Sequence, residues 1–299
     1  MNSPPARLYK YLASARIDIV DNWLIRFTQP GALNDPFELR PHVKSYGTPE
    51  EVFNVAAKRW EGHAEEQYAA LVHAHGERMT FAEFRARIEL TRKPMIDYAI
   101  ESQAENINAE MSRKLNELMN ESIGILSLCE CPDDLLMWAH YGDSHKGFVL
   151  EFDSASPFFY QPNPPAHVRA TDEEAAQYAE EYGRLRPVVY SEDRPSVIIS
   201  QLKFDVLLTK GLSWEYEAEW RMLMPPMYAN KQMPPVGPYS VCLFAIPPSA
   251  VTKIVLGCNA DDVLVAHAMT LRDRPETTHI AIEKARIGAE HYKLHFDPV

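Results

Sequence analysis

Trp214-Glu-Tyr-Glu-Ala-Glu-Trp-Arg-Met-Leu-Met224 is the stretch on which the reading of this chain turns. With a period of two, Trp214, Tyr216, Ala218, Trp220, Met222 and Met224 fall on one side, and Glu215, Glu217, Glu219, Arg221 and Leu223 on the other. That alternation describes a half-buried strand: its aromatic side chains anchor one face and line up an acidic row on the other. Read as a helix, the same residues pair Glu215 with Glu219 and Glu217 with Arg221 one turn apart, as ordinary surface charges. Alternation sustained through three aromatics favours the strand. Neighbouring carboxylates raise one another's pKa, so the row needs solvent, Arg221 or a bound substrate to relieve it.

Outward from this stretch, composition sets the bounds. With 299 residues, 46% hydrophobic and 10% aromatic, the chain has enough apolar surface for a sizeable core. The net charge of −12 opposes adhesion to nucleic acid or anionic membrane. Stable nucleic-acid binding is therefore not expected, although nucleic acid stays open as a substrate. The N-terminal Met-Asn-Ser-Pro-Pro-Ala-Arg has no apolar signal core behind it, and no apolar run approaches the ~18 residues of a membrane span. A cytoplasmic protein without a membrane partner is the expectation. Cys129, Cys131, Cys242 and Cys258 are too few and too unevenly spread for a disulfide scaffold. Cys129-x-Cys131 lacks a second pair, and His63, His73 and His75 have no partner ligands nearby, so no metal is expected.

Read in order, the chain opens with two strands, at residues 8–11 and 23–27. Asn34-Asp35-Pro36-Phe37-Glu38 follows as a structured loop, in which turn capping is the ordinary role of Asn34 and Asp35. Residues 49–122 read as helical. Thr48 is the N-cap and Pro49 the first helical position, and breaks are expected at Gly76 and Pro94. Residues 123–129 form a buried strand, 135–141 a two-turn helix ended by Gly142, and 146–152 a strand with Phe148, Leu150 and Phe152 on one face. Further helices are expected at 171–183, 197–208 and 261–274. Further strands are expected at 188–190, 241–246, 252–256, 280–282 and 292–296, with a stiff Pro-rich loop between Pro225 and Pro238. The sum is an α+β protein with a mixed, largely antiparallel sheet, as a single domain over 1–299 with a helical insertion at 49–122.

On the 135–141 helix, His140 lies one turn from Leu136 and Met137, and Tyr141 one turn from Trp138. Each sits beside a core residue with its polar end free to face a cleft. A histidine so placed is ordinarily a satisfied core residue. Here Tyr141, Asp143, His145 and Lys146 crowd the same helix-to-strand turn, which makes it a candidate site. Lys210 brings a positive charge towards the row of glutamates.

Three blocks together carry a resemblance: residues 27–38 (Phe-Thr-Gln-Pro-Gly-Ala-Leu-Asn-Asp-Pro-Phe-Glu), residues 137–148 (Met-Trp-Ala-His-Tyr-Gly-Asp-Ser-His-Lys-Gly-Phe), and Lys210 with Trp214, Glu217 and Glu219-Trp220-Arg221. They resemble a bacterial domain-of-unknown-function family marked by an Asn-Asp-Pro-Phe-Glu turn, a Trp-Ala-His-Tyr helix and a Glu-x-Glu-Trp-Arg strand. Glu217-Ala218-Glu219 is also similar to the Glu-x-Glu of ADP-ribosyltransferases. The early aromatic strand (Tyr9, Tyr11) and the Ser127 strand are compatible with the split sheet of that fold, although Ser127 is followed by Leu-Cys where that family has Ser-Thr-Ser. The second resemblance implies NAD as co-substrate and a macromolecular acceptor. Glu219 would bond the nicotinamide ribose and steady an oxocarbenium-like transition state, and Glu217 would assist the acceptor. Lys210, Arg221 or Arg26 would hold the pyrophosphate, and Tyr9, Asn34 and Lys146 complete the binding candidates. Two other classes stay open. One is a nuclease with His140 and Tyr141 as acid and base and Lys146 or Arg221 at the phosphorane. The other is a non-catalytic sensor or interaction protein, in which Trp138, Trp214 and Trp220 are core and the polar residues form a structural network.

Overall fold

The computed structural model describes residues 3–164 and 171–299. The chain divides into two compact units, one of residues 1–39, 118–193 and 207–299, the other of residues 40–117 and 194–206.

The first unit is built on an eight-stranded sheet. Its order is Leu294–Pro298, Ala281–Ile287, Val251–Leu256, Phe148–Asp153, Arg7–Leu12, Gly124–Cys129, Glu219–Met224 and Leu185–Pro187. Within it Val251–Leu256 and Ala281–Ile287 run parallel, and the other pairs are antiparallel. A three-stranded sheet of Lys231–Val236, Tyr239–Ala245 and Leu24–Phe27 stands beside it, joined through an isolated bridge between Thr28 and Ile125. The fold is thus α+β, with a mixed, mostly antiparallel sheet, as the pattern of short apolar runs implied.

The central strands are apolar on both sides, so each face of the large sheet is covered. Leu8, Leu126, Leu128, Phe148, Leu150, Phe152, Trp220 and Met222 join one core, which the helix Asp262–Met269 reaches through Leu264 and Ala268. On the other face Tyr11, Cys129 and Val149 pack against Met137 and Trp138 of the helix Leu135–His140. That helix starts where Asp134 accepts a hydrogen bond from the Met137 N–H at 2.8 Å. Beyond it Asp143, Ser144 and His145 all take left-handed φ, at 52°, 53° and 66°, conformations that cost L-residues of order 1 kcal/mol each. The loop is pinned by the Asn259 N–H on the His145 carbonyl at 3.0 Å and the Gly257 N–H on that of Gly147 at 2.9 Å. Gly147 itself has no room for a side chain, because a Cβ would lie 2.1 Å from the Leu12 carbonyl oxygen.

The second unit holds the helix Pro49–His75 and most of the helix Phe81–Ser122. Thr48 and Glu51 form a reciprocal capping box at the first helix start, with Pro49 inside it, as the sequence implied. Three expectations are corrected. Pro94 does not end a helix: Phe81–Ser122 runs through it, giving up one backbone donor within a long run of good helix formers. Residues 197–208 are not a helix. Ser196–Ile198 is a strand pairing in parallel with His42–Ser45, and two 3-10 turns, Ile199–Gln201 and Phe204–Leu208, follow. Nor is 225–238 all loop, because Pro234 and Pro235 lie in the edge strand Lys231–Val236. There the pairing register shifts between Met233 and Val236, the place where a residue without an N–H is tolerated. No helix among the described residues is long and apolar enough to cross a membrane.

Candidate functional site

The opening stretch is not one strand. Leu212–Glu217 is a 3-10 turn, Ala218 takes a left-handed conformation (φ 41°, ψ 54°), and the strand begins only at Glu219. All six residues of Glu219–Met224 are buried, so the half-buried strand is corrected as well. The period of two persists inside it: Trp220, Met222 and Met224 enter the core, and Arg221 lies opposite Ser127 of the neighbouring strand. Charged residues can occupy the other face because they neutralise one another there instead of meeting water.

The kink at Ala218 folds Glu217 back beside Glu219 and around one lysine. Lys210 Nζ lies 2.5 Å from Glu217 Oε2, 3.1 Å from Glu219 Oε2 and 3.6 Å from Glu38 Oε1. The Trp214 ring centroid is 5.1 Å away, a cation–π contact. Arg221 donates from Nε to Glu219 Oε1 at 2.8 Å, from Nη2 to Glu219 Oε2 at 2.9 Å, from Nη1 to the Leu207 carbonyl at 2.6 Å, and also pairs with Glu38. Its exposure is 0%, and that of Glu38, Lys210, Glu217 and Glu219 is 4–5%. Among these five groups are three carboxylates and two cations, and the Lys10 ammonium adds a further positive charge that acts on Glu219 and Glu217.

Burial by itself would lower the pKa of Lys210, but Glu219 and Glu217 outweigh it and hold the ammonium above the usual lysine range. Burial pushes the Glu219 carboxyl up, against the pull of Lys210 and a hydrogen bond from Ser127.

Tyr141 connects this network to the surface. It ends the Leu135–His140 helix, donates its hydroxyl to Glu217 Oε1 at 2.7 Å and accepts from Asn34 Nδ2 at 3.0 Å. Burial and then the Glu217 charge push its phenol above the ordinary range. The folded state therefore keeps this proton where the unfolded chain ionises, from pH about 10 upward. The associated stability is complete below that pH and is lost as pH rises from there through the raised folded value. Tyr141→Phe is expected to lower stability at neutral pH by about 1.5–3 kcal/mol, the range for a hydrogen bond to a charged acceptor. It should also flatten the alkaline decline. Urea denaturation at neutral and alkaline pH checks both, and an unchanged neutral midpoint would remove the assigned role.

These groups line a cleft of about 260 Å³ that includes Tyr9, Lys10, Arg26, Asn34, Tyr141, Lys210, Glu217 and Glu219. Of the residues singled out from sequence, Tyr9, Arg26, Asn34, Tyr141, Lys210, Glu217 and Glu219 are thus brought together. His140 and Lys146 are exposed and outside the lining, and Arg221 lies behind the wall with its donors committed, offering no surface to a pyrophosphate. Glu215 is exposed.

Two cleft residues escaped the sequence reading. Glu38 stood in the Asn34 loop without an assigned partner. Lys10, enclosed by Tyr9 and Tyr11 in an apolar strand, was a visible anomaly that carried no assignment. Its ammonium donates to the Ser127 carbonyl at 2.9 Å, and burial pushes its pKa down. Arg26 also lines the cleft, and its buried Nε has no hydrogen-bond partner. Among the described residues neither Lys10 nor Arg26 forms a carboxylate ion pair.

Among the described residues no group of three or more His, Cys, Asp or Glu side chains is placed to hold a metal ion. Lys210 occupies the centre of the three carboxylates. The four cysteines are free. No curated protein and no solved structure matches the chain. Residues 137–222, from the Tyr141 helix through most of the Glu219 strand, match a family described as protein of unknown function (DUF2971).

Proposed function

We propose that the cleft binds NAD and transfers its ADP-ribosyl group to a macromolecular acceptor, in the manner of the ADP-ribosyltransferases that Glu217-Ala218-Glu219 resembles. The observation that carries this reading is the polarity of the cleft. One part of its lining is the Glu217–Lys210–Glu219 network, with two carboxylates at its edge. The same cleft holds Lys10 and Arg26, two cations in no direct carboxylate ion pair among the described residues, with the Arg26 Nε lacking a hydrogen-bond partner. A nicotinamide nucleotide has the complementary pattern: a cationic ring on a sugar that becomes more cationic as the glycosidic bond breaks, and an anionic pyrophosphate.

In this reading Glu219 is an electrostatic stabiliser. Clamped by Arg221 and Lys210, it is preorganised to face a developing oxocarbenium ion without reorienting. The ribosyl carbon–nitrogen bond breaks, nicotinamide leaves neutral with the electron pair, and the acceptor attacks the sugar carbon. The acceptor's proton passes to Glu217, whose Oε1 is already oriented by the Tyr141 hydroxyl. Lys10 and Arg26 meet the pyrophosphate, and the cleft takes the ring and its sugar while the rest of the dinucleotide extends from the mouth.

The test is incubation with labelled NAD and a cell lysate. Wild type is expected to transfer label, and Glu219→Gln to lose about a hundredfold in rate, comparable to removing one preorganised group at a transition state. Equal transfer by both proteins would sink the assignment. A second reading is favoured by the hydrogen bonds that hold all three Arg221 nitrogens, which also suit a rigid, non-catalytic ligand sensor. Such a protein would be stabilised by NAD in a thermal shift while releasing no nicotinamide.

A further inference from the structure

The helical unit carries a second concavity, separate from the cleft and independent of its reading. The helices Pro49–His75 and Phe81–Ser122, with the strand His42–Ser45, bound a groove of about 370 Å³, within the size range of small-molecule sites between helices. Its apolar wall includes Val52, Trp60, Ile96 and Ile100, and Ala56 and Ala99 leave the space open. Val55 and Met95, also in the lining, are 42% and 49% exposed, so apolar surface is left uncovered.

Among the described residues no aspartate or glutamate lines this groove, whereas acids accompany many of the cations elsewhere on the two helices. Arg85 and Arg92 pair with Glu61, Lys93 with Asp97, and Arg113 with Glu110 and Glu117. Arg59 and Lys44, which line the groove, form no ion pair with a carboxylate among the described residues. Two uncompensated cations beside exposed apolar wall, in a chain of net charge −12, specify a ligand that is apolar along its length and negative at one end.

We propose that the groove binds a free, monomeric acyl carboxylate, with the chain along Trp60, Ile96 and Ile100 and the carboxylate at Arg59 and Lys44. Burial of the chain supplies affinity, and the paired cations fix its direction and exclude neutral or cationic analogues.

The test uses the full-length protein with decanoate below its micelle concentration, followed by tryptophan fluorescence and thermal denaturation. Saturable binding is expected, with the fluorescence change lost in Trp60→Phe while the rise in Tm remains. Arg59→Glu, at an exposed position, should weaken decanoate binding by about tenfold. Ala99→Trp should fill the groove and abolish binding. Decanol should bind more weakly than decanoate, and decyltrimethylammonium not at all. Equal binding of all three amphiphiles, or an Arg59→Glu protein as tight as wild type, would overturn the proposal. So would association with anionic vesicles but not with decanoate, or no saturable change. NAD turnover is unaffected by Arg59→Glu, so failure here and failure of the transferase reading are read separately.

Discussion

Arg221→Met is expected to lower the free energy of unfolding by about 3–5 kcal/mol, among the largest effects available to a single substitution in this protein. The methionine fills much of the space but leaves Glu38 and Glu219 buried without the guanidinium that joins them. The Leu207 carbonyl loses its donor too. The cost is that of an uncompensated buried charge rather than of lost packing. A second substitution that removes charge from the other side, Glu38→Gln in the Arg221→Met background, should therefore recover part of the loss. Urea denaturation of the single and double variants measures it. A double variant no more stable than Arg221→Met would mean that the charge argument is wrong.

Lys210→Met should be as costly near neutral pH, about 3–5 kcal/mol, because Glu38, Glu217 and Glu219 would then surround a neutral side chain. Its pH dependence separates it from an ordinary core defect. In wild type the raised pKa of Lys210 contributes stability that is complete below the unfolded lysine value of about 10.4, and is lost as pH rises through the folded value. In the variant the carboxylates govern. Glu219 is already pushed up by burial, and without Lys210 it rises further. A carboxyl group raised in this way contributes stability below its unfolded value of about 4.3 and loses it as pH rises through the folded value. Lys210→Met should accordingly regain stability relative to wild type as pH falls from neutrality towards the unfolded carboxyl value of about 4.3. Urea midpoints measured across that window decide it, and parallel profiles for the two proteins would count against a carboxylate cluster held together by the lysine.

The parts of the fold legible in the sequence were those set by local chemistry. The apolar run before Cys129 became the strand Gly124–Cys129, Thr48 capped the helix it preceded, and Phe148, Leu150 and Phe152 shared a core face. The 3-10 turn at Leu212–Glu217 was hidden. Acids alternating with aromatics look the same whether the acids meet water or a buried lysine, and only the surroundings decide between a strand and a kink. The pair Glu38–Arg221 spans 183 positions and Lys10–Ser127 spans 117, distances at which no local pattern operates. The neighbours His140 and Tyr141 show a finer limit. Successive helix residues point about 100° apart, so one faces the cleft when the other faces solvent. The residue types gave no means to choose between them.

The position of Arg7–Leu12 between Gly124–Cys129 and Phe148–Asp153 also governs how the chain must be assembled. The sheet's first strand in chain order is a central one, and Lys10 is synthesised 117 positions ahead of the Ser127 carbonyl it will bond. At ordinary elongation rates that interval is roughly 6–23 s, during which a Tyr-flanked strand has both edges open. A lysine at its middle is the kind of charge that discourages such an edge from pairing with another chain. Lys10 would thus guard the nascent strand against aggregation before any cleft exists, so replacing it with an apolar residue should lower the soluble yield on synthesis more than it lowers the stability of the finished protein.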